Sequence, residues 1–364
     1  MCLTQSMEFE LTAEQESLQK AAIDFARAEL SSDMIERDNE RAFSHDGWKK
    51  CAAFGVHGLP VPEKFGGSGS DPITTIAIME GLGYGSPDQG LLFSINAHMW
   101  TNSIPLLKYG TPEQKQRYLP GLCDGSLIGA NGASEPNAGS DVFSMRTRVT
   151  KNGDGYILNG AKTFVTNAPV ADLFAVYGTL DPKLGGMGIC GFIIERGTPG
   201  LSVGKKMDKM GLRTAPMAEL VLENCRVPAT ALLGREGRGA EVFSCSMAWE
   251  RACILATCVG TMRRQLERCI DYARTRKQFG QPIGKFQSVA NRIVDMKLRY
   301  ETARLMIYKV GWLMQENKST DMDAAMAKLY VSESFVKSCL DAVQIHGGSV
   351  FMSELELERE FRDS

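Results

Sequence analysis

This 364-residue sequence has few histidines, no closely spaced cysteine pairs and almost no excess of one charge over the other. It has four histidines, and its ten cysteines include no C-x-x-C pair. These counts leave almost no material for a Cys/His zinc site, and they favour buried, reduced thiols in a cytoplasmic protein. The formal net charge of −2 gives no reason to expect nucleic acid or an anionic membrane as a partner.

Long apolar runs and a secretory leader are also missing from the sequence. No apolar run predicts a membrane span, and the N-terminus has no signal-peptide pattern. What is present is a globular composition, with 43% hydrophobic and 23% charged residues. A chain of this length has room for two or three domains with a substantial core.

The residue pattern changes twice along the chain, which predicts three regions. Residues 12–15 have the form of a capping box, and helical patterns continue from there to about Leu119. Between Gly125 and Gly239 the chain is rich in Gly, Val, Ile and Thr, which predicts strands between turns. Helical periodicity returns at Ala240, and another long helix is predicted from about Gln287. Periodicity alone therefore supports a mixed α and β protein of enzyme size.

The most informative stretch is Asn131-Gly132-Ala133-Ser134-Glu135-Pro136-Asn137-Ala138-Gly139-Ser140-Asp141. Its small residues and Pro-fixed bend let backbone N–H groups approach a pyrophosphate, and two serines add hydroxyl donors. Gly, Asn, Ser and Asp are also ordinary turn residues, so composition alone favours a surface loop.

Three further motifs follow this stretch, namely Asn159–Asn167, Arg276–Gly280 and Gln344–Gly348. In this order and spacing, the four motifs resemble the acyl-CoA dehydrogenase family of flavoproteins. The resemblance implies an α+β fold with an N-terminal helical domain (7–124), a middle β-barrel or sandwich domain facing the flavin (125–238) and a C-terminal four-helix bundle (239–364). In the family the bundle continues past the position at which this sequence ends.

The resemblance implies that the protein binds FAD without a covalent bond. Asn131, Ala133 and Ser134 match the family segment that touches the isoalloxazine ring. Ser140, beside Gly139, matches the contact to the pyrophosphate.

A second motif places residues over the flavin ring. Phe164 and Thr166 match a Trp and a Thr that cover the ring and reach its N5. Phe in place of Trp keeps stacking available but removes an N–H donor.

The last two motifs imply contacts across subunits. Arg276, Phe279 and Gln287 match residues that reach the FAD of a neighbouring subunit, so the resemblance implies a homotetramer or at least a dimer. Gln344 and Gly348 match contacts to the adenosine half of the cofactor. Each residue alone also has a structural interpretation, such as a solvated charge for Arg276 or a core position for Phe279.

Glu250 is the strongest catalytic candidate. It lies on a mostly apolar helical face, where a carboxylate is costly unless it is paired or lines a pocket. From the neighbouring residues alone, a catalytic base and a buried ion-pair partner are about equally favoured roles for Glu250. The resemblance implies the base that removes the substrate α-proton, although other family members carry that base in a loop beyond the position of Ser364.

Four other positions are expected to be structural or have two open interpretations. His98 and His346 are predicted to be structural, because the reaction already has a base. Arg213 either supports the fold or faces the acyl group. Trp249, beside the base, either packs in the core, which is the favoured interpretation, or shapes a small pocket.

Several stretches resemble one branch of the family, the oxidases that act on prolyl groups borne by a peptidyl carrier protein in secondary metabolism. They include Gly129–Pro136, Asn167–Asp172 and Ser246–Cys253. The resemblance implies FAD-dependent oxidation of a prolyl thioester, with the phosphopantetheine-bearing carrier protein as partner. Two alternatives are a short-chain acyl-CoA dehydrogenase and a catalytically silent scaffold.

Overall fold

The computed structural model describes residues 10–364, apart from the side chain of Ala252. The chain forms two compact units. The helical unit comprises Met1–Ser32, described from residue 10, with Asp71–Gln89 and Arg251–Ser364. The sheet unit comprises Asp33–Ser70 and Gly90–Glu250. The helical N-terminal region, the middle sheet region and the helical C-terminal region confirm the predicted mixture of elements.

The helices and strands are numbered in chain order. The α-helices are α1 (Ala13–Glu29), α2 (Met34–Glu40), α3 (His45–Ala53), α4 (Pro72–Gly85), α5 (Gln89–His98), α6 (Ile104–Tyr109), α7 (Pro112–Cys123), α8 (Gly239–Cys253), α9 (Leu255–Thr275), α10 (Gln287–Gln315), α11 (Asp321–His346) and α12 (Leu357–Asp363). A single π-helical turn, Met99–Ser103, joins α5 to α6. The strands are β1 (Gly129–Gly132), β2 (Arg148–Asn152), β3 (Gly155–Thr166), β4 (Leu173–Thr179), β5 (Ile189–Glu195), β6 (Leu201–Val203), β7 (Met217–Pro228), β8 (Leu232–Leu233), β9 (Lys277–Gln278) and β10 (Gln281–Pro282).

Local sequence signals position the helix ends. Thr12 Oγ1 accepts a hydrogen bond from Gln15 N at 3.2 Å, and Gln15 Oε1 accepts one from Thr12 N at 3.1 Å. This reciprocal pair satisfies two backbone donors that the first turn of a helix leaves unpaired. The predicted capping box is therefore confirmed, as is the predicted start of a long helix at Gln287.

The sheet unit is built on one eight-stranded sheet. Its strand order is β6-β7-β3-β2-β4-β5-β8, and β1 pairs in parallel with β4. Apolar side chains of this sheet pack against α6, α7 and the start of α8 in one core. The buried members of that core are Val61, Leu106, Leu119, Leu122, Cys123, Ala133, Ala138, Met145, Leu173, Ala175, Tyr177, Ile189, Ile193, Leu233 and Val242.

In the helical unit, α4 and α9 cross at two glycines. A Cβ atom on Gly83 would lie 2.0 Å from Thr257 O, and one on Gly260 would lie 2.0 Å from Glu80 O. Only glycine permits so close an approach of the two backbones. The crossing buries much of α9 within the helical unit.

Glu80 ties three helices of this unit together. Its buried carboxylate accepts hydrogen bonds from Gln19 on α1 at 2.9 Å and from Tyr308 on α10 at 2.7 Å. Arg304, also on α10, donates at 3.1 Å and supplies the compensating positive charge. A buried carboxylate needs such partners, because burial without them is costly.

The helical stretch Gly239–Thr275 is long and apolar enough, by length and composition, to cross a membrane. This differs from the sequence-based expectation that no run predicts a span. The core helix of a folded domain passes the same test, and α9 buries eleven of its residues.

The predicted domain limits at 124/125 and 238/239 stay predictions. The two compact units divide the predicted N-terminal region between them, since α1 and α4 belong to one unit and α5 to α7 to the other. Residues 7–9 of that region lie outside the described residues.

The nine cysteines within the described residues are free thiols. Seven are buried, and Cys245 and Cys258 are partly buried. Burial raises the pKa of Cys253 and of Cys269 to about 12. The thiols of Cys253 and Cys269 are therefore protonated at neutral pH.

Candidate functional site

The first motif leaves the sheet at the end of β1. Asn131 lies in β1 opposite Ala175 of β4. The Asn131 Oδ1 atom is buried and has no hydrogen-bond partner among the described residues. The chain then turns, with Glu135 and Ala138 exchanging backbone hydrogen bonds of 3.0 and 3.1 Å. Gly139 beyond the turn is exposed, and apart from its chain neighbours no atom of the described residues lies within 4 Å of where its Cβ would be.

A bulge in β3 turns Phe164 outward. The pairing of β3 with β7 skips between Lys162 and Val165, so the strand carries an extra residue there. Phe164 has φ of 55° and is 67% exposed. A bulky residue rarely adopts positive φ, and bulges commonly redirect a side chain beside a functional site.

The structure joins the first two motifs within the sheet unit. Thr163 N donates a hydrogen bond of 2.9 Å to Ser134 O. Lys162 Nζ donates to Ala133 O at 3.2 Å. Asn131, Ala133, Ser134, Phe164 and Thr166 thus belong to neighbouring segments.

A buried ion pair, which the sequence analysis missed, stabilises this junction. Lys162 is fully buried, and its Nζ lies 2.7 Å from Glu135 Oε1. Glu135 also accepts from Arg146 N at 2.6 Å and from Thr147 N at 2.9 Å. Burial raises the pKa of Glu135, but Lys162 and the donated hydrogen bonds outweigh this effect and hold the pKa below its ordinary value. Burial lowers the pKa of Lys162 to about 8, against the attraction of Glu135.

His98 makes structural hydrogen bonds, as predicted. Gly129 N donates to His98 Nδ1 at 2.9 Å, so His98 Nε2 carries the proton and donates to Leu122 O at 2.9 Å. Burial lowers the pKa of His98 to about 4. The ring is therefore neutral at pH 7, and it connects the end of α7 to the start of β1.

Glu250 lies near the C-terminal end of α8 and is partly buried. Burial raises the pKa of Tyr177, and the nearby Cys245 and Glu250 raise it further. Glu250 thus acts electrostatically on the interior of the sheet unit. Its role as a base stays a prediction.

Trp249, next to Glu250, stacks on the buried Trp100 with ring centroids 5.6 Å apart and an interplanar angle of 16°. Trp100 belongs to the π-helical turn and donates its indole N–H to Asn96 Oδ1 at 2.7 Å. The stack supports the core interpretation of Trp249.

Arg213 pairs with the buried Asp38 at 3.8 Å. The preceding segment is held by Lys209, whose Nζ donates to Leu212 O at 2.7 Å. Of the two interpretations left open for Arg213, the contact to Asp38 favours support of the fold.

The remaining predicted contacts lie in the helical unit. Arg276 directly follows α9 and is exposed, and Phe279 occupies the turn between β9 and β10. Phe279 is 92% exposed, has φ of 50° and meets Phe286 edge-on at 6.0 Å. Gln287 is exposed at the start of α10.

The fourth motif ends α11. Gln344 and Gly348 are exposed, whereas His346 between them is buried. The His346 ring stacks on Tyr272 of α9 at 4.3 Å, and its Nδ1 lies 2.9 Å from Ala342 O. The structural role predicted for His346 is consistent with these contacts, which hold the ends of α9 and α11 together.

Sequence comparison matches most of the chain to one family. Models described as the N-terminal, middle and C-terminal domains of acyl-CoA dehydrogenase match residues 12–126, 130–225 and 237–364. An L-prolyl-[peptidyl-carrier protein] dehydrogenase of Serratia sp. (strain ATCC 39006) is 44% identical over 353 residues, which cover 97% of this chain and 92% of the relative.

Two solved structures are similar in both sequence and fold. The prolyl acyl carrier protein oxidase AnaB is 51% identical with a TM-score of 0.96, covering 97% of this chain and 94% of AnaB. PigA with FAD and proline is 43% identical with a TM-score of 0.96, covering 98% of this chain and 93% of PigA. On these similarities, the chain belongs to the acyl-CoA dehydrogenase family.

Proposed function

We propose that this protein is an FAD-dependent oxidoreductase that oxidises an L-prolyl thioester on a peptidyl carrier protein to a pyrroline or pyrrole thioester. The observation that carries the proposal is the similarity, over nearly the full chain, to AnaB and to PigA with FAD and proline. The same similarity makes the silent scaffold and the short-chain acyl-CoA dehydrogenase the lesser alternatives.

The sheet unit has features that fit a flavin. The buried Asn131 Oδ1 has no hydrogen-bond partner in the described part of the chain, and Phe164 exposes an aromatic face from a bulge. The space beside Gly139 is open, so backbone groups there are accessible to a pyrophosphate. We assign the FAD contacts to Asn131, Ala133, Ser134, Gly139, Ser140, Phe164 and Thr166, with Arg276, Phe279, Gln287, Gln344 and Gly348 as the second group.

The chain supplies alignment and proton transfer. Glu250 takes the substrate α-proton, and donors near the thioester carbonyl stabilise the negative charge that develops on its oxygen. Bound FAD supplies the acceptor for the hydride. Glu250 is partly buried as a residue, and electrostatic interactions are stronger in a partly buried environment than in water.

The second group of contacts implies an assembly. Arg276, Phe279 and Gln287 are exposed in their own unit, which is consistent with contacts to the FAD of a neighbouring subunit in a homotetramer. We further expect a cytoplasmic protein that works without nucleic acid or membrane, with a carrier protein as macromolecular partner.

Mass spectrometry of a prolyl-loaded carrier protein tests the proposal. Incubation with the purified holoenzyme and oxygen should remove one or two pairs of hydrogen atoms from the acyl group. Butyryl-CoA, monitored by flavin bleaching, is the competing substrate. Bleaching by butyryl-CoA with an unchanged prolyl carrier would favour the short-chain dehydrogenase. A full-length sample without flavin absorbance, even after incubation with FAD, would favour the silent scaffold.

A further inference from the structure

Three buried side chains bond the backbone at the start of β1, and together we name them the β1 clamp (His98, Asn102 and Asn167). His98 Nδ1 accepts from Gly129 N at 2.9 Å, and Asn167 Nδ2 donates to Gly129 O at 3.1 Å. With its amide oriented to satisfy both groups, Asn102 donates to Ala130 O at 3.2 Å and accepts from Ala130 N at 3.3 Å. All three side chains are fully buried.

The clamp depends on two local features of the fold. Asn102 lies in the π-helical turn Met99–Ser103 and His98 directly precedes it, and such turns occur frequently at functional sites. Gly129 admits the clamp, because a Cβ at this position would lie 2.6 Å from Asn102 Cγ.

The clamp ends one residue before a proposed cofactor contact. β1 has only four residues, and Asn131 follows the two clamped residues. Its Oδ1 is buried and has no hydrogen-bond partner within residues 10–364. We propose that the β1 clamp is a positioning device that fixes Asn131 and the following turn toward FAD. The inference rests on the proposed function, since it takes Asn131 as an FAD contact.

Asn102→Leu tests the clamp by removing its amide at nearly constant volume. The variant should stay folded but bind FAD more weakly, on the order of tenfold or more, as expected for lost buried hydrogen bonds. FAD titration of the apoprotein measures the change. Hydrogen exchange of a peptide spanning residues 126–134 should also become faster, which reports directly on β1.

Asn96→Leu is the matched control. Asn96 is equally buried on the same helical segment, but its amide bonds Leu92 O and the Trp100 indole. This variant should lose thermal stability and keep its FAD affinity within about twofold. Wild-type affinity in Asn102→Leu, or equal weakening in both variants, would overturn the proposal.

If Asn102→Leu does not fold, two His98 variants test the β1 clamp instead. Asn places its amide near the position of Nδ1 and can accept from Gly129 N, whereas Gln places its amide near Nε2 and can bond Leu122 O. His98→Asn should therefore bind FAD more tightly than His98→Gln, and equal affinities would refute the clamp. A wild-type protein that binds FAD but leaves prolyl carrier unchanged would refute the proposed substrate alone.

Discussion

The two units hold their proposed cofactor contacts in opposite ways. In the sheet unit, the segment from Asn131 to Ser134 is bonded to neighbouring strands and to a buried ion pair. In the helical unit, Arg276, Phe279 and Gln344 are exposed at helix ends and in a turn. The segment from Asn131 to Ser134 is fixed by its own unit, whereas the helical-unit contacts present their side chains outward, as Phe164 of the sheet unit also does.

This difference indicates that the two groups contribute to FAD binding in different ways. A segment fixed by its own fold can hold a cofactor with little further ordering, since its conformational entropy is already lost. An exposed side chain such as Phe279 contributes to FAD binding only when the cofactor packs against it. The contrast matches the proposal that the helical unit serves a neighbouring subunit.

The largest expected effect is on catalysis, and it tests whether Glu250 of the sheet unit is the base. Glu250→Gln should keep fold and FAD but reduce flavin bleaching by prolyl carrier by about 10²–10⁴-fold, the usual contribution of a general base. Stopped-flow absorbance measures it. Glu241→Gln, at the exposed start of the same helix, should bleach at the wild-type rate. Normal bleaching in a stable, flavin-loaded Glu250→Gln would remove Glu250 from the mechanism.

Lys162→Met tests the rigidity of the sheet unit. It leaves Glu135 buried without its ion-pair partner, so the free energy of unfolding should fall by about 3–5 kcal/mol. Lys297→Met makes the same substitution in the exposed pair with Glu301, where about 0.5 kcal/mol or less is expected. Urea denaturation measures both, and equal losses would show that the buried pair has no special weight.

Acid should weaken the sheet unit through His98. Its folded pKa of about 4 lies below the unfolded value, so only the unfolded chain binds a proton between pH 6.5 and 4. Stability is therefore lost as the pH falls, by about 2 kcal/mol between pH 6.5 and 5 from this group. Urea unfolding of His98→Asn should show a shallower pH dependence, and an unchanged slope would contradict the prediction.

Phe279→Ala should have the smallest effect on the fold. An exposed side chain contributes within about 0.5 kcal/mol to the free energy of unfolding. FAD retention should nevertheless fall on dilution, because in the proposed assembly a neighbouring subunit completes the cofactor site. Phe164→Ala should weaken FAD binding at every protein concentration. Light scattering with flavin absorbance separates the two, and identical behaviour would remove the contrast between the groups.

Local sequence patterns predicted the architecture because its elements begin and end at local signals. The capping box at Thr12, the helix start at Gln287 and the strand-rich region from Gly125 each depend on neighbouring residues. The family resemblance, carried by four motifs, added the cofactor and the order of domains. The individual cofactor contacts and the role of Glu250 stay predictions.

Features that depend on distant pairing escaped the sequence analysis. Lys162 reads as a polar strand residue, and its partner Glu135 lies 27 residues away. The bulge at Phe164 depends on the register against β7, which no local pattern specifies. The π-helical turn Met99–Ser103 also produces no periodic pattern of apolar residues by which the sequence could predict it. A lysine within a motif of small and apolar residues was the one available hint of a buried pair.

The free thiols have a consequence for chemical labelling. Thiol reagents attack the thiolate, and burial with a raised pKa leaves little of it at Cys225 or Cys253. Cys2 lies outside the described residues and would be replaced by Ser. The remaining native thiols should then react only slowly with the labelling reagent. A cysteine introduced at the exposed Gly139 would then carry a fluorescent probe for cofactor occupancy, without removal of the native buried cysteines.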